Sequence, residues 1–400
     1  MTEQTMSAAA EQKATRLPRR DWILLPAIGL IAVLSVAGVT EFVAQRKFPK
    51  RSGGPVCMVF HDPAVGPHGI PNCRVMVQVP ETELTEYRFN NCGFRTDLPC
   101  GPKPPGTFRI VMIGTSMAGG WNVPVEKTFA NILPERLSQI TGRNIQLYNE
   151  SFPYRYPDFT AQHFDEVLKA QPDMILWALN AGDFQRQEAA AKPQSHAEGQ
   201  MGFQQKILRD WKDALAKGSV SQTVSNLFTH TRTYNLLSNF IYASPSQYLN
   251  VALADPDRLN GYLKTHPSEL WQQRYKDFDD DFSRVAAQAQ AAHVPLVVTL
   301  LPEHTEAAMI ALGTPPAGYD PTLIDSRTRS IVTGHGVAYV AVIPELRNYP
   351  NPQLGYYATE GHPNARGHAM FADILAKKLT SEVSSNLQTS NQPLLSRKVQ

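Results

Sequence analysis

The chain has 400 residues, 42% of them apolar and 18% charged, with a formal net charge of +2. That apolar content supports a substantial core and excludes a disordered chain, and the length suits one large domain or two ordinary ones. Acidic and basic residues are interspersed, so no dominant field favours nucleic acid or another polyanion.

Residues 1–21 are polar and alanine-rich, the composition of a short disordered cytoplasmic tail. From Trp22 to Thr40 no charged residue occurs, and 22–44 reads as a transmembrane anchor, because a helix crosses a bilayer with roughly 20 apolar residues. Lys13, Arg16, Arg19 and Arg20 precede this stretch and Arg46, Lys47, Lys50 and Arg51 follow it, so charge bias does not set its orientation. A cleaved export signal ending at Ser35-Val36-Ala37 and an apolar core helix are the competing readings.

Residues 45–106 form a Cys- and Pro-rich segment. It holds all four cysteines, Cys57, Cys73, Cys92 and Cys100, at spacings that do not match paired zinc ligands. An even count beyond an export segment suits disulfides in an oxidising compartment, with reduced thiols as the alternative. Of the three connectivities, Cys57 with Cys73 and Cys92 with Cys100 is preferred. Both features place the residues after about 45 outside the cytoplasm, in the periplasm or beyond the cell.

A domain over 107–382 then alternates strand and helix patterns. Strands are expected at 108–113, 145–148, 174–179, 294–301 and 337–343, and helices at 128–140, 160–170, 269–292 and 322–333. A polar helical insertion occupies about 185–265. Asn364 caps a final helix with Phe371, Ile374, Leu375 and Leu379 on one face. This alternation predicts a three-layer α/β/α domain with a five-stranded parallel sheet. The tail 383–400 is rich in polar residues and reads as flexible.

In such sheets ligands sit beyond the carboxyl ends of the strands, where Ser116, Ser151, Asn180 and Gly182 all fall. Ile110-Val111-Met112-Ile113-Gly114-Thr115-Ser116 is a buried strand that runs into a glycine turn exposing a serine, and Glu360-Gly361-His362-Pro363-Asn364 delivers a histidine before a helix. A serine hydroxyl is a weak nucleophile until a base takes its proton, so the pair points to hydrolytic or acyl-transfer chemistry. A phosphate-binding loop would need a lysine that Met117 to Gly120 lacks. An α/β-hydrolase elbow would need several strands before its serine.

Together with Tyr87-Arg88-Phe89-Asn90 and Gly93-Phe94-Arg95, these segments resemble the SGNH/GDSL hydrolases, esterases and acyltransferases on a flavodoxin-like fold, including membrane-anchored bacterial members. The resemblance covers about 87–182 and 294–380, and implies Ser116 as nucleophile, His362 as base and Glu360 as the group orienting it. It implies oxyanion donors at the N–H groups of Ser116 and Ser151 with Asn180 or Gly182. Thr115 replaces the family's aspartate, and Asn180-Ala181-Gly182-Asp183 replaces its Gly-Asn-Asp. His368 is expected to pack without a catalytic role.

The function expected is an extracytoplasmic serine esterase or O-acyltransferase, held in the membrane through 22–44 and acting on an ester, an O-acetyl group above all, of a cell-envelope glycan or related acylated molecule. No metal or organic cofactor is implied. The alternative is a catalytically inactive member that binds a glycan or a partner protein.

Overall fold

The structure is a computed structural model that describes residues 21–47, 57–60, 62, 65–79, 81–186, 231–254 and 261–387. Much of the expected insertion, 187–230 and 255–260, and the tail from 388 lie outside the described residues.

The first element is α1 (Asp21–Lys47), whose stretch Pro26–Lys47 is long and apolar enough to cross a membrane. Its apolar side chains, among them Ile28, Leu30, Ile31 and Val33, are exposed, whereas Ala44 near its end is fully buried. Next come two short antiparallel pairs, β1 (Met58–Val59) with β2 (His68–Gly69) and β3 (Arg74–Val77) with β4 (Thr85–Arg88). Disulfides Cys57–Cys73 and Cys92–Cys100 staple this region, in the sequence-local pairing.

The domain proper is built on β5 (Thr107–Gly114), α2 (Phe129–Thr141), β6 (Asn144–Asn149), the short helices α3 (Pro157–Gln162) and α4 (Phe164–Lys169), and β7 (Met174–Leu179). After the insertion's described helices α5 (Arg232–Tyr242) and α6 (Pro245–Ala252) come α7 (Glu269–Ala291), β8 (Leu296–Leu300) and α8 (His304–Leu312). The chain ends with α9 (Leu323–Gly334), β9 (Ala338–Ala341) and α10 (Ala365–Glu382). The five long strands pair in parallel in the order β6-β5-β7-β8-β9, the flavodoxin-like arrangement.

Alternate side chains of each strand feed two cores. Val111, Ile113, Ile175, Trp177 and Val298 pack against α3, α4, α7 and α9. Ile110, Met112, Leu176, Ala178 and Val297 pack against Phe129, Leu133 and Leu137 of α2 and Phe371, Ile374, Leu375 and Leu379 of α10. Both faces are covered, which is why these strands read as continuous apolar runs.

Two local expectations change. The helix expected over 160–170 breaks at His163, whose φ −118° and ψ 23° leave the helical region while its ring stacks on Phe159. Helix α8 had no counterpart in the pattern because its residues are buried nearly all round; its start is set by a reciprocal cap between Glu303 and Glu306.

Gly114 ends β5 at φ 154°, where an added Cβ would lie 2.3 Å from the Ala178 carbonyl oxygen and 2.8 Å from Ala118 Cβ. Gly114→Ala is therefore expected to lose roughly 1–3 kcal/mol of stability by overpacking, read as a lower denaturation midpoint; an unchanged midpoint would contradict this close packing.

Candidate active site

Beyond Gly114 the chain turns tightly: Gly119 N–H donates to Thr115 O at 2.8 Å and Trp121 N–H to Ser116 O at 3.2 Å. Thr115 braces the turn. Its hydroxyl donates to Asp183 Oδ1 at 2.5 Å and accepts from Asn180 Nδ2 at 2.9 Å. Burial pushes the Asp183 carboxyl up to about 7, against the hydrogen bonds that it receives. Asn149 Nδ2 ties the neighbouring strand end to Ala118 O at 3.2 Å, and buried Arg95 donates to the carbonyls of Gly119 (2.9 Å), Gly120 and Val123.

The second loop precedes α10. Asn364 caps that helix by accepting from the N–H groups of Arg366 and Gly367, and its amide donates to Leu354 O and Tyr356 O. Glu360 bends back on the same loop. Its Oε2 accepts the His362 N–H at 3.0 Å and its Oε1 lies 2.7 Å from His362 Nδ1. On the far side of the ring, His362 Nε2 lies 2.8 Å from Ser116 Oγ. All three contacts are satisfied when Nδ1 carries the ring proton and the serine hydroxyl donates to Nε2. Burial opposes the imidazolium, but the Glu360 hydrogen bond and charge, with the charge of Glu303, outweigh it, and the His362 pKa is raised above 6.5. His368, in contrast, is buried against Phe129, with Phe129 N–H donating to its Nδ1 at 3.3 Å, and desolvation pushes its pKa down to about 3.

Ser116, His362 and Glu360 are thus brought into one hydrogen-bonded line, whereas three of the expected oxyanion donors, Asn180, Gly182 and Ser151, are engaged elsewhere. Asn180 spends its amide on Thr115 and on Asp183 Oδ1 (3.1 Å) because it caps the turn Ala181–Asp183. Gly182 N–H donates to Asn180 Oδ1 at 2.8 Å, and Glu303 also engages it. Ser151 N–H folds back on Asn149 Oδ1 at 3.1 Å. As arranged, Asn180, Gly182 and Ser151 each have an acceptor within the protein. The Ser116 N–H has none among the described residues, and the N–H groups of Met117 and Ala118 on the same turn are likewise unengaged. They lie together on the hydrogen-bonded turn that follows β5, at the serine.

Two carboxylates near the site carry no signal in the sequence pattern. Glu81 accepts from Thr359 N–H at 2.9 Å and Glu360 N–H at 2.7 Å, and its other partner is the Asn239 amide of α5. Glu303, half-buried after β8, faces His362; burial raises its pKa, with His362 and Gly182 N–H acting against that rise. Glu303 and Glu306 form a reciprocal cap at the start of α8, but with a glutamate at the cap position the pair lacks the usual capping-box sequence. Beside Glu360 and Gly361 opens a cleft of about 690 Å³ walled by Tyr242, Tyr248, Trp271 and Glu303.

No protein-family profile matches this chain, and no curated protein does. Solved structures similar to it include the psychrotrophic esterase EstA from Pseudoalteromonas sp., with 10% identity over 69% of this chain and 98% of that one at a TM-score of 0.35. They also include TesA, with 10% identity over 68% of this chain and 97% of that one, TM-score 0.35. A third is a catalytic mutant of Axe2, an acetylxylan esterase from Geobacillus stearothermophilus, with 10% identity over 69% and 95% of the two chains, TM-score 0.36.

Proposed function

We propose that this protein is a serine esterase or O-acyltransferase of the SGNH type, with Ser116 as nucleophile, His362 as general base and acid, and Glu360 as the group that orients the imidazole. The observation that carries this reading is the unbroken line from Glu360 Oε1 through His362 to Ser116 Oγ, at 2.7 and 2.8 Å. Ser116 Oγ attacks the acyl carbonyl carbon while its proton passes to His362 Nε2. Collapse of the tetrahedral species returns that proton to the departing alcohol oxygen and leaves the acyl group on Ser116. Water or an acceptor hydroxyl, deprotonated by His362, then takes the acyl group and regenerates the serine. In this reading the oxyanion is held by the N–H of Ser116, with the N–H groups of Met117 and Ala118 on the same turn also without an acceptor among the described residues.

The substrate in this reading is an ester, an O-acetyl group above all, of a cell-envelope glycan or a related acylated molecule. Helix α1 acts as a membrane anchor and the α/β domain works outside the cytoplasm. The two disulfides and the exposed apolar helix support that placement. The docking of α1 on the domain supports an anchor that stays attached: Glu41 accepts from the N–H groups of Arg232 (3.0 Å) and Thr233 (2.8 Å) and from Thr233 Oγ1 (2.9 Å). The rival reading, an inactive domain that binds a glycan or a partner protein, is favoured by one observation, the engagement of Asn180 and Gly182 away from the serine.

Hydrolysis of p-nitrophenyl acetate separates the two. Activity that falls about a thousandfold or more in Ser116→Ala supports the esterase, and activity within about twofold of wild type in that variant contradicts it.

The pH profile tests Glu360. Only neutral His362 accepts the serine proton, so kcat/KM falls as pH drops through the raised His362 pKa, with the acid limb centred above 6.5. Glu360→Gln removes contributions that raise this pKa, so the limb moves to lower pH while kcat drops by about 10³- to 10⁴-fold through loss of the correct tautomer. An unmoved limb would contradict the contact with Nδ1.

A further inference from the structure

Helix α5 carries its two faces the wrong way round for a helix on the surface of a soluble domain. Asn235, Ser238 and Asn239, spaced i, i+3 and i+4, share one face and turn it inward. Asn239 Nδ2 donates to Glu81 Oε1, Asn235 Oδ1 accepts from Thr359 Oγ1 at 3.5 Å, and Ser238 is buried. Leu237, Phe240 and Ile241 repeat that spacing two residues on, which places them on the opposite face, and they are 42%, 82% and 38% exposed. A helix on a soluble domain does the reverse, with its apolar stripe on the core and its polar side in water.

The sequence says which medium suits such a face. From Thr233 to Ala254, through α5 and α6, no residue is charged. An acidic or basic partner would be met by charges of the opposite sign, and these helices offer none. An uncharged helix with an outward apolar face suits the boundary between lipid headgroups and acyl chains, where interfacial helices bury that face by about 5–10 Å.

The attachment of α5 to α1 sets its height. The uncharged run of α1 from Trp22 to Thr40 spans roughly 28 Å as a helix, close to the ~30 Å of hydrocarbon in a bilayer. The first charge, Glu41, therefore stands at the edge of that hydrocarbon, and Glu41 is the group that accepts from the Arg232 and Thr233 N–H groups at the start of α5. Up to Val39 the described side chains of α1 are exposed, whereas Ala44 is fully buried, and α1 packs on α5.

We propose that α5 lies in the surface of the bilayer, with Leu237, Phe240 and Ile241 between headgroups and acyl chains, while its asparagine face holds the histidine loop through Glu81 and Thr359. The lipid surface is then a second support of the Ser116 and His362 site, beside the α1 span. The height assigned to α5 rests on the reading of α1 as an anchor and is independent of the esterase reading.

Collision of a nitroxide label with oxygen, which concentrates in lipid, and with a water-soluble nickel chelate tests this in the full chain, reconstituted in phosphatidylcholine nanodiscs. All four native cysteines are in disulfides, so a single introduced cysteine takes the label. Phe240→Cys and Leu237→Cys replace exposed side chains, and Ile31→Cys marks the middle of α1. Thr333→Cys, exposed in the last turn of α9 before β9, marks the opposite edge of the sheet from the site. The oxygen-to-nickel collision ratio at Phe240→Cys and Leu237→Cys is expected to exceed that at Thr333→Cys by about fivefold or more, with no anionic lipid present. Ratios within about twofold of Thr333→Cys, while Ile31→Cys is rich in oxygen collisions, overturn the proposal and leave the anchor standing. A Phe240→Cys label shut off from both reagents means that protein, such as a second copy of this chain, covers the face, and overturns it as well. An Ile31→Cys label open to the chelate contradicts the anchor instead, and the Phe240→Cys ratio then still decides for α5.

Discussion

The hydrogen bond between His362 Nε2 and Ser116 Oγ joins residues 246 positions apart, and the parallel sheet is what lets it form. When every strand runs the same way, every strand-to-helix loop leaves by the same edge. The β5 loop carries Ser116, the β7 loop carries Asn180 and Asp183, and the β8 loop carries Glu303. The stretch between β9 and α10 carries Glu360 and His362 to the same edge. An antiparallel pairing of the same segments would send half of these groups to the opposite end of the domain.

Proximity alone does not orient an imidazole, and three anions do that work here. Glu360 holds Nδ1 and the backbone of His362, Glu81 holds the backbone of Thr359 and Glu360, and Glu303 adds negative charge on the β8 side. Through Asn239 the Glu81 clamp reaches α5, whose first N–H groups are held by Glu41 of α1. The histidine loop is therefore tied, by hydrogen bonds alone, to the disulfide-stapled segment, to the insertion and to the apolar N-terminal helix. The serine turn is tied down separately, by Thr115 on Asp183 and by Arg95 on three carbonyls.

Much of this was legible because it is periodic or local. The strands stand out as apolar runs buried on both faces, α10 carries its cap at Asn364, and Glu360 lies two residues before His362, within reach of the ring. The present partners of Asn180, Gly182 and Ser151 were not legible, for a local reason. Asn180 follows β7, but a side-chain amide answers to its nearest acceptors, and Thr115 supplies one. Glu81 and Glu303 were silent because they sit far from the site in sequence and belong to no periodic face. Helix α8 was silent because burial nearly all round removes the amphipathic signal.

The central claim is that Ser116 takes the acyl group. Rapid acid quench of the full chain during turnover of p-nitrophenyl acetate, followed by peptide mass analysis, reads this directly. The account predicts an added acetyl group on the peptide that holds Ser116, at the serine itself. Hydrolysis that proceeds while the acetyl group appears on another residue, or on none under conditions that trap acyl-enzymes, would contradict it.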